Sequence, residues 1–421
     1  MTSSISKGWF IWGIGTFFYL YQFILRASPN VMADQLMASF AIQASSLGIF
    51  ASCYYAAYTT LQIPLGILLD KWGPQAIIRF AITMCLVGVL LFLFADIFWL
   101  ACLARVLIGL GASGAFLSTV SLARHWLPVS KVAFAVGTTI TFGKFGGLFA
   151  NLPLALMVEN QGWRKAFFFL LLLGGVLFLL IWLFVKNKRE PHDTTSEKQT
   201  KHNILRILRN PHIWYIGLYG CLTYVPLSVF TDTWGVSFLM KRHDTTKEFA
   251  SIGISLLFIG TGIGAPLIAL LSDRLHQRKS LMTLSAIGSA LVCTLLVFGT
   301  YEPIWISFVL TFLVGLFMTG QTLVFTVGAE SMPSYMSGLV TGFVNTLVMT
   351  GGIFFQPLVG FILDALWDGQ VQDNVPLYTL ENYQLALLLL PLCMGAALFT
   401  LLFIPETHPK HQREHVIFGE T

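Results

Sequence analysis

Arg26, Arg105, Lys144 and Asp232 each interrupt a long apolar stretch of the chain. An unpaired cation at the centre of a lipid-facing helix costs on the order of 3 kcal/mol or more. Each of these residues is therefore expected to face an aqueous cavity or an opposite charge. Three cations against one acid suit recognition of a carboxylate or phosphate by charge-assisted hydrogen bonds. Arg26 lies 17 residues past Trp9, roughly 25 Å along a helix. That is too deep to reach back to the starting face, so the alternative to a binding role is snorkelling toward the other face. Pro29 predicts a local helix break just beyond it.

Each charge has more than one reading. Arg105 suits proton coupling, substrate binding or a buried structural ion pair. Lys144 could bind an anion, change protonation or line a wet cavity. Asp232 could carry a proton, hold a substrate amine or pair with Arg26; an outward position near Lys241 is its structural alternative. Polar and aromatic residues complete a candidate cavity. Tyr19, Tyr21 and Gln22 fall on the first apolar span, and Tyr54, Tyr55, Tyr58 and Gln62 form one helical face of the second. Asn151, Tyr219, Tyr224, Trp234, Gln321, Asn345 and Gln356 are further candidates. Singly, such residues are more often packing aromatics or satisfied interhelical amides. The expected substrate-binding set is Arg26, Tyr21, Gln22, Tyr54, Tyr58, Lys144, Asn151, Asp232, Trp234, Asn345 and Gln356, with Arg105 and Asp232 in proton coupling. A zwitterion would fit with its carboxylate on Arg26 and its amine on Asp232.

The elements that must position these residues are membrane helices. The 421 residues are 56% hydrophobic and 11% charged, against about 25% charged in soluble domains. Apolar stretches of about twenty residues predict twelve spans, near 9–34, 45–69, 76–95, 98–122, 132–157, 165–185, 212–239, 249–271, 280–300, 303–327, 336–363 and 383–404. They lack the ten-residue alternation of barrel strands. The first is too long and aromatic for a cleaved signal peptide. With the N-terminus in the cytoplasm, 17 of the 25 Lys and Arg fall on the cytoplasmic side and five outside, and the other three lie within spans. This bias predicts cytoplasmic termini. It also accounts for the net charge of +5, so no nucleic-acid partner is expected. A charged stretch from Lys186 divides the spans six and six, with a short surface helix expected near Ile204–Leu208. The expected organisation is an N-terminal bundle over residues 1–185, a cytoplasmic linker over 186–211 and a C-terminal bundle with a short tail over 212–421.

The six cysteines lie in apolar runs without CxxC or Cys/His spacing, and the nine histidines are scattered. No metal, cofactor, phosphate-binding loop or nucleophile–base pair is indicated, so an enzyme is not expected.

The halves repeat. At an offset of 205, Pro128 matches Pro333, Gly137 matches Gly342, Gly146 and Gly147 match Gly351 and Gly352, and Glu159 meets Asp364. At 206, "LIGLGASG" from Leu107 matches "LVGLFMTG" from Leu313 in four positions. Such a repeat suggests an internally duplicated transporter.

Several motifs carry a family resemblance. "GILLDKWGPQAII", from Gly66, resembles the loop between spans two and three of the major facilitator superfamily through Gly66, Asp70, Lys71 and Gly73, with Arg79 as a later cation. Pro74 and Gln75 stand where that loop is usually basic. "ALLSDRLHQRKS" is its degraded copy, keeping Asp273, Arg274, Arg278 and Lys279. "RVLIGLGASGA" resembles the superfamily's span-four motif through Arg105, Gly109 and Gly111. "GTTITFGKFGG" resembles its antiporter motif, with Lys144 where proline is usual, and "GWRKAF" matches the segment before span six. "YxFxLRxSPxVM", from Tyr21, resembles the phagosomal nutrient transporters of intracellular bacteria, and the organic-anion symporters also place an anion-binding arginine in their first span.

The resemblance implies an all-α membrane protein of about twelve transmembrane helices in two pseudo-symmetric six-helix bundles. It implies a conformational latch formed by Gly66, Asp70, Lys71, Gly73, Asp273 and Arg274. It also implies secondary active transport by alternating access in a bacterial inner membrane. The expected partners are a small anionic or zwitterionic metabolite, a coupling proton and lipid, with the protein a monomer. Uptake is preferred over exchange because of Lys144. An antiporter or exporter of organic anions, siderophores or drugs is the alternative, and a non-transporting membrane receptor is another.

Overall fold

The computed structural model describes residues 2–187, 197–372 and 375–408, and helices dominate them. The first predicted span is two helices, α1 (Thr2–Ala27) and α2 (Pro29–Phe40). Pro29 has no amide to donate, and its ring excludes the ordinary helical bond to Leu25. The Leu25 carbonyl accepts from Ser28 Oγ instead, at 2.9 Å. At the first position of α2 the missing amide costs nothing.

A single run, α3 (Ala44–Leu93), contains spans two and three and is broken at Gly73, whose φ of 75° requires glycine. The first half is completed by α4 (Phe98–Trp126), α5 (Val129–Gln161) and α6 (Trp163–Phe184). The expected surface helix is longer than its apolar core, running as α7 (Glu197–Leu208); residues 188–196 of the linker lie outside the described residues. Span seven is composite: α8 (Pro211–Thr223), a π-helical segment (Pro226–Trp234) and α9 (Gly235–His243). Next come α10 (Lys247–Leu275), α11 (Lys279–Phe298), α12 (Ile304–Phe317), α13 (Leu323–Glu330) and α14 (Ser337–Ala365). A small antiparallel pairing of Val371–Gln372 with Val375–Pro376, absent from the expectations, precedes α15 (Leu380–Leu387) and α16 (Leu389–Thr400).

Eleven helical stretches among the described residues are long and apolar enough to cross a membrane. The expected twelfth, the Ala44–Leu69 half of α3, is not among them. Its polar side chains, including Ser52, Tyr54, Tyr55 and Gln62, are buried within the protein. It is a span whose polar face meets protein rather than lipid. The chain is a multi-pass membrane protein.

The repeat has a packing reason. A side chain at Gly109 of α4 would strike the Tyr54 backbone of α3, and one at Gly315 of α12 would strike the Leu257 backbone of α10. Gly146 of α5 lies against the Leu20 carbonyl of α1, and Gly351 of α14 against the Cys221 carbonyl of α8. These glycines let helices of one bundle approach closely. Their successors face the other bundle: Gly147 abuts the Phe258 ring of α10, and Gly352 abuts the Tyr55 ring of α3.

The bundles meet on one side of the membrane. There Gly48 of α3 lies against Gln356 and Pro357, and Gly360 of α14 against Ala44. On the side bearing the Gly73 turn, Gly66, Gly137, Gly338 and Gly342 face open space.

Candidate substrate site at the bundle interface

Arg26 does not snorkel. It is 4% exposed, and its Nε lies 3.0 Å from Asp232 Oδ2. Its Nη1 donates to the Tyr224 hydroxyl at 3.0 Å, and its guanidinium stacks over Phe23 with 4.2 Å to the ring centroid. Tyr55 donates to the same Asp232 oxygen through a short hydrogen bond. One ion pair thus joins α1 to the π-helical segment, with a hydroxyl from α3 closing it. Arg26 Nη2 and Asp232 Oδ1 have no hydrogen-bond partner among the described residues. A buried pair of this kind is weak evidence for stability, because desolvation offsets the Coulomb attraction.

Arg105 forms no ion pair among the described residues. Nη1 donates to the Leu25 carbonyl at 2.6 Å and Nη2 to the Arg26 carbonyl at 3.0 Å. It therefore grips the end of α1 where Pro29 interrupts the helical ladder. A cation suits that end, where unsatisfied carbonyls carry partial negative charge. The rings of Phe50 and Tyr54 lie 5.3 and 5.2 Å from its guanidinium carbon.

The polar set divides into groups. Gln22 accepts from the Tyr54 hydroxyl at 2.8 Å beneath the ion pair. Tyr58 stacks on Tyr54 with centroids 6.0 Å apart, and Asn345 and Gln62 stand beside its hydroxyl. Lys144 is half-buried on α5 and forms no ion pair or hydrogen bond among the described residues, although the charges of Arg26 and Asp232 reach it. Tyr21 turns away from the interface, donating to the Leu170 carbonyl of α6 at 2.9 Å.

Asn151, Trp234 and Gln356 belong to a clasp on the closed side. Asn30 Nδ2 donates to Asn151 Oδ1 at 3.1 Å and to the Thr231 carbonyl at 2.8 Å, while its Oδ1 accepts from the Val236 amide at 3.1 Å. Gln356 Nε2 donates to the Ser228 carbonyl at 2.5 Å, and Trp234 Nε1 donates to the Gln356 carbonyl at 3.4 Å. Asn30 therefore ties both bundles together. No spacing in the sequence distinguished it, and only its place after the Pro29 break gives it this reach.

Among the described residues no hydrogen bond or ion pair joins the two halves of the expected latch. Gly66 faces open space, Lys71 is exposed, Gly73 forms the turn, and the Asp70 side chain lies outside the described residues. Gln75 and Asn187 stabilise the turn: Gln75 N donates to Asn187 Oδ1 at 3.0 Å, and Asn187 N donates to Gln75 Oε1 at 2.8 Å. In the second half Asp273 pairs with Arg278 at 2.7 Å, and Arg278 reaches Glu330 at 3.1 Å. Arg274 is exposed and joins no ion pair among the described residues. Glu406 accepts the backbone amides of Arg278 and Lys279 at the start of α11. Partial burial opposes its charge, but those amides and the amides of Thr407 and His408 outweigh it and hold its carboxyl below the usual range.

The family profile of the Major Facilitator Superfamily matches residues 12–243 and 225–417. The chain is 26% identical over 306 residues to a probable sulfoacetate transporter, SauU, of Cupriavidus necator, covering 68% of this chain and 69% of that one. It is 22% identical over 410 residues to a probable hexose phosphate transport protein of Chlamydia pneumoniae, covering 87% and 88%. Among solved structures, a mutant form of the nucleoside transporter NupG superposes with a TM-score of 0.74 at 13% identity, covering 94% of this chain and 99% of that one.

Proposed function

The chain belongs to the Major Facilitator Superfamily, and on that premise we propose that it moves a small carboxylate-bearing metabolite across a bacterial inner membrane by proton-coupled uptake. The Arg26–Asp232 pair carries this reading, because it spans the two bundles and leaves one polar atom unpartnered on each side. Alternating access needs contacts that form on closure and break on opening. A substrate anion drawn to the interface cations competes with Asp232. A buried carboxylate without its counter-charge is costly, so a proton takes the place of the guanidinium. Anion binding and proton uptake are then one event. The anionic compounds named for the Cupriavidus and Chlamydia relatives support an acid as substrate.

With the termini in the cytoplasm, the clasp of Asn30 closes the outside and the cavity opens inward. The bundles comprise residues 1–185 and, with a short cytoplasmic tail, 212–421, joined by a cytoplasmic linker over 186–211. The test is uptake of labelled amino acids, organic acids and sugar phosphates into proteoliposomes, with an internal pH dye. Uptake accompanied by acidification of the lumen is expected. Unchanged transport by correctly inserted Arg26→Ala protein rejects the role of the pair. Transport without proton movement rejects symport, and net efflux against a gradient favours the exporter.

A further inference from the structure

We infer that Lys144, rather than Arg26, receives the anionic group of the substrate, and that the substrate is a net anion rather than a zwitterion. The inference rests on the transport reading above and deepens it.

The other cations near the interface are largely taken up. Arg26 is held by Asp232, Tyr224 and the Phe23 ring and keeps only Nη2 without a hydrogen-bond or ion-pair partner among the described residues. Arg105 has both terminal nitrogens on backbone carbonyls. An ammonium would have to share Asp232 with Arg26 and Tyr55, which occupy Oδ2, and would find only Oδ1 without a partner among the described residues. Lys144 has no such partner.

Its place on α5 is equally specific. Residues 140, 144, 147 and 151 recur at helical spacing and share one face. Gly147 touches Phe258 of the other bundle, and Asn151 joins the Asn30 clasp. Ile140, a turn beyond Lys144, is 42% exposed. Lys144 therefore stands one turn from the contact with the other bundle, next to an exposed residue of the same face.

The fold does not require a cation there. At the offset of 205 that aligns the glycines, the matching residue of α14 is Met349, which packs as a partly buried apolar side chain. An unbranched side chain of similar length fills that place without charge. With Asp232 on Arg26, Arg105 and Lys144 both lack a carboxylate partner among the described residues; Arg105 spends its terminal nitrogens on two backbone carbonyls, so an incoming anionic group is left to Lys144. A lysine ammonium is a point charge without a bidentate demand, so carboxylate, sulfonate and phosphate groups all suit it.

The experiment compares wild-type protein with Lys144→Met and Lys144→Arg. Thermal stabilisation and counterflow are measured with size-matched monocarboxylates, dicarboxylates, a sulfonate, a sugar phosphate, zwitterionic amino acids and neutral amides. The compounds that bind wild-type protein are expected to be net anions. Lys144→Met is expected to weaken them about tenfold or more, and Lys144→Arg by no more than about threefold. Treatment with pyridoxal 5′-phosphate and borohydride is expected to label Lys144, and a binding anion to protect it. Unchanged anion affinity in Lys144→Met, or a zwitterion as the best ligand, overturns the inference while leaving transport intact. A wild-type protein that transports nothing in the panel and leaves Lys144 unlabelled overturns the inference together with the transport reading.

Discussion

The carboxylate of Asp364, near the end of α14, caps the first turn of α3 in the other bundle. Oδ2 accepts the Ser45 amide at 2.8 Å and Oδ1 the Ala44 amide at 3.1 Å. The Tyr378 hydroxyl donates to Oδ1 at 2.5 Å and holds the carboxylate in place. The contact unites an anion with a helix N-terminus, each bringing what the other lacks. Its sequence counterpart, Glu159, is exposed. The start of α10 is held instead by Lys247, 3.7 Å from Asp34.

Asp364→Asn is accordingly expected to loosen the closed side. A charge-assisted hydrogen bond contributes roughly 1.5–3 kcal/mol, so the open population there should rise about tenfold or more. Spin labels placed on the exposed ends of α3 and α14 would read the change. An unchanged distance distribution rejects the clasp.

Breaking the Arg26–Asp232 pair on one side should be worse than removing it. Arg26→Met or Asp232→Leu leaves an uncompensated buried charge and is expected to cost about 3–5 kcal/mol, while the double variant recovers much of that loss. Thermal unfolding in detergent tests this non-additivity. Transport should not recover in the double variant.

Arg105 and Pro29 are expected to be coupled. Arg105→Ala removes a charged donor from each of two buried carbonyls, and that of Leu25 keeps Ser28 Oγ, so a total of about 1–3 kcal/mol is expected. Pro29→Ala restores an amide that can reach the Leu25 carbonyl. In that background Arg105→Ala should cost about 1 kcal/mol less. A double-mutant cycle on unfolding measures the difference, and strict additivity rejects the bracing role.

Glu406 should give a pH-dependent stability. Its carboxyl ionises more readily in the folded protein than in the unfolded chain. The contribution is therefore fully present above the unfolded carboxylate range and is lost as pH falls through the folded value. The difference in melting temperature between wild type and Glu406→Gln should be constant near neutrality and vanish in acid.

The sequence alone revealed the spans, the repeat and the charges, because lipid enforces long apolar runs and makes each buried charge conspicuous. Pro29 predicted the break after Arg26, and Arg26 with Asp232 was one of the pairings open. Ala44–Leu69 was read as a span and is less apolar than the other eleven, because a span lined by protein on its polar face does not need the apolarity lipid demands. The hold of Arg105 on the end of α1 was not legible, since nothing local says that a proline in another helix leaves carbonyls for it. Asn30 became visible only in three dimensions. An amide near a helix end is common, and its significance depends on the partner across the interface.

The two glycines that meet rings of the opposite bundle, Gly147 on Phe258 and Gly352 on Tyr55, behave as bearing surfaces. A flat ring against bare backbone has no knob to withdraw from a hole, so it can slide across the glycine without opening the radial gap that would forfeit dispersion energy. The duplicated halves thus share two smooth pivots. Only one pivot is charged with information, because Tyr55 carries a hydroxyl onto Asp232 and Phe258 has none. The carboxylate that pairs the bundles thus touches one of two otherwise matching ring-on-glycine contacts, and only that one.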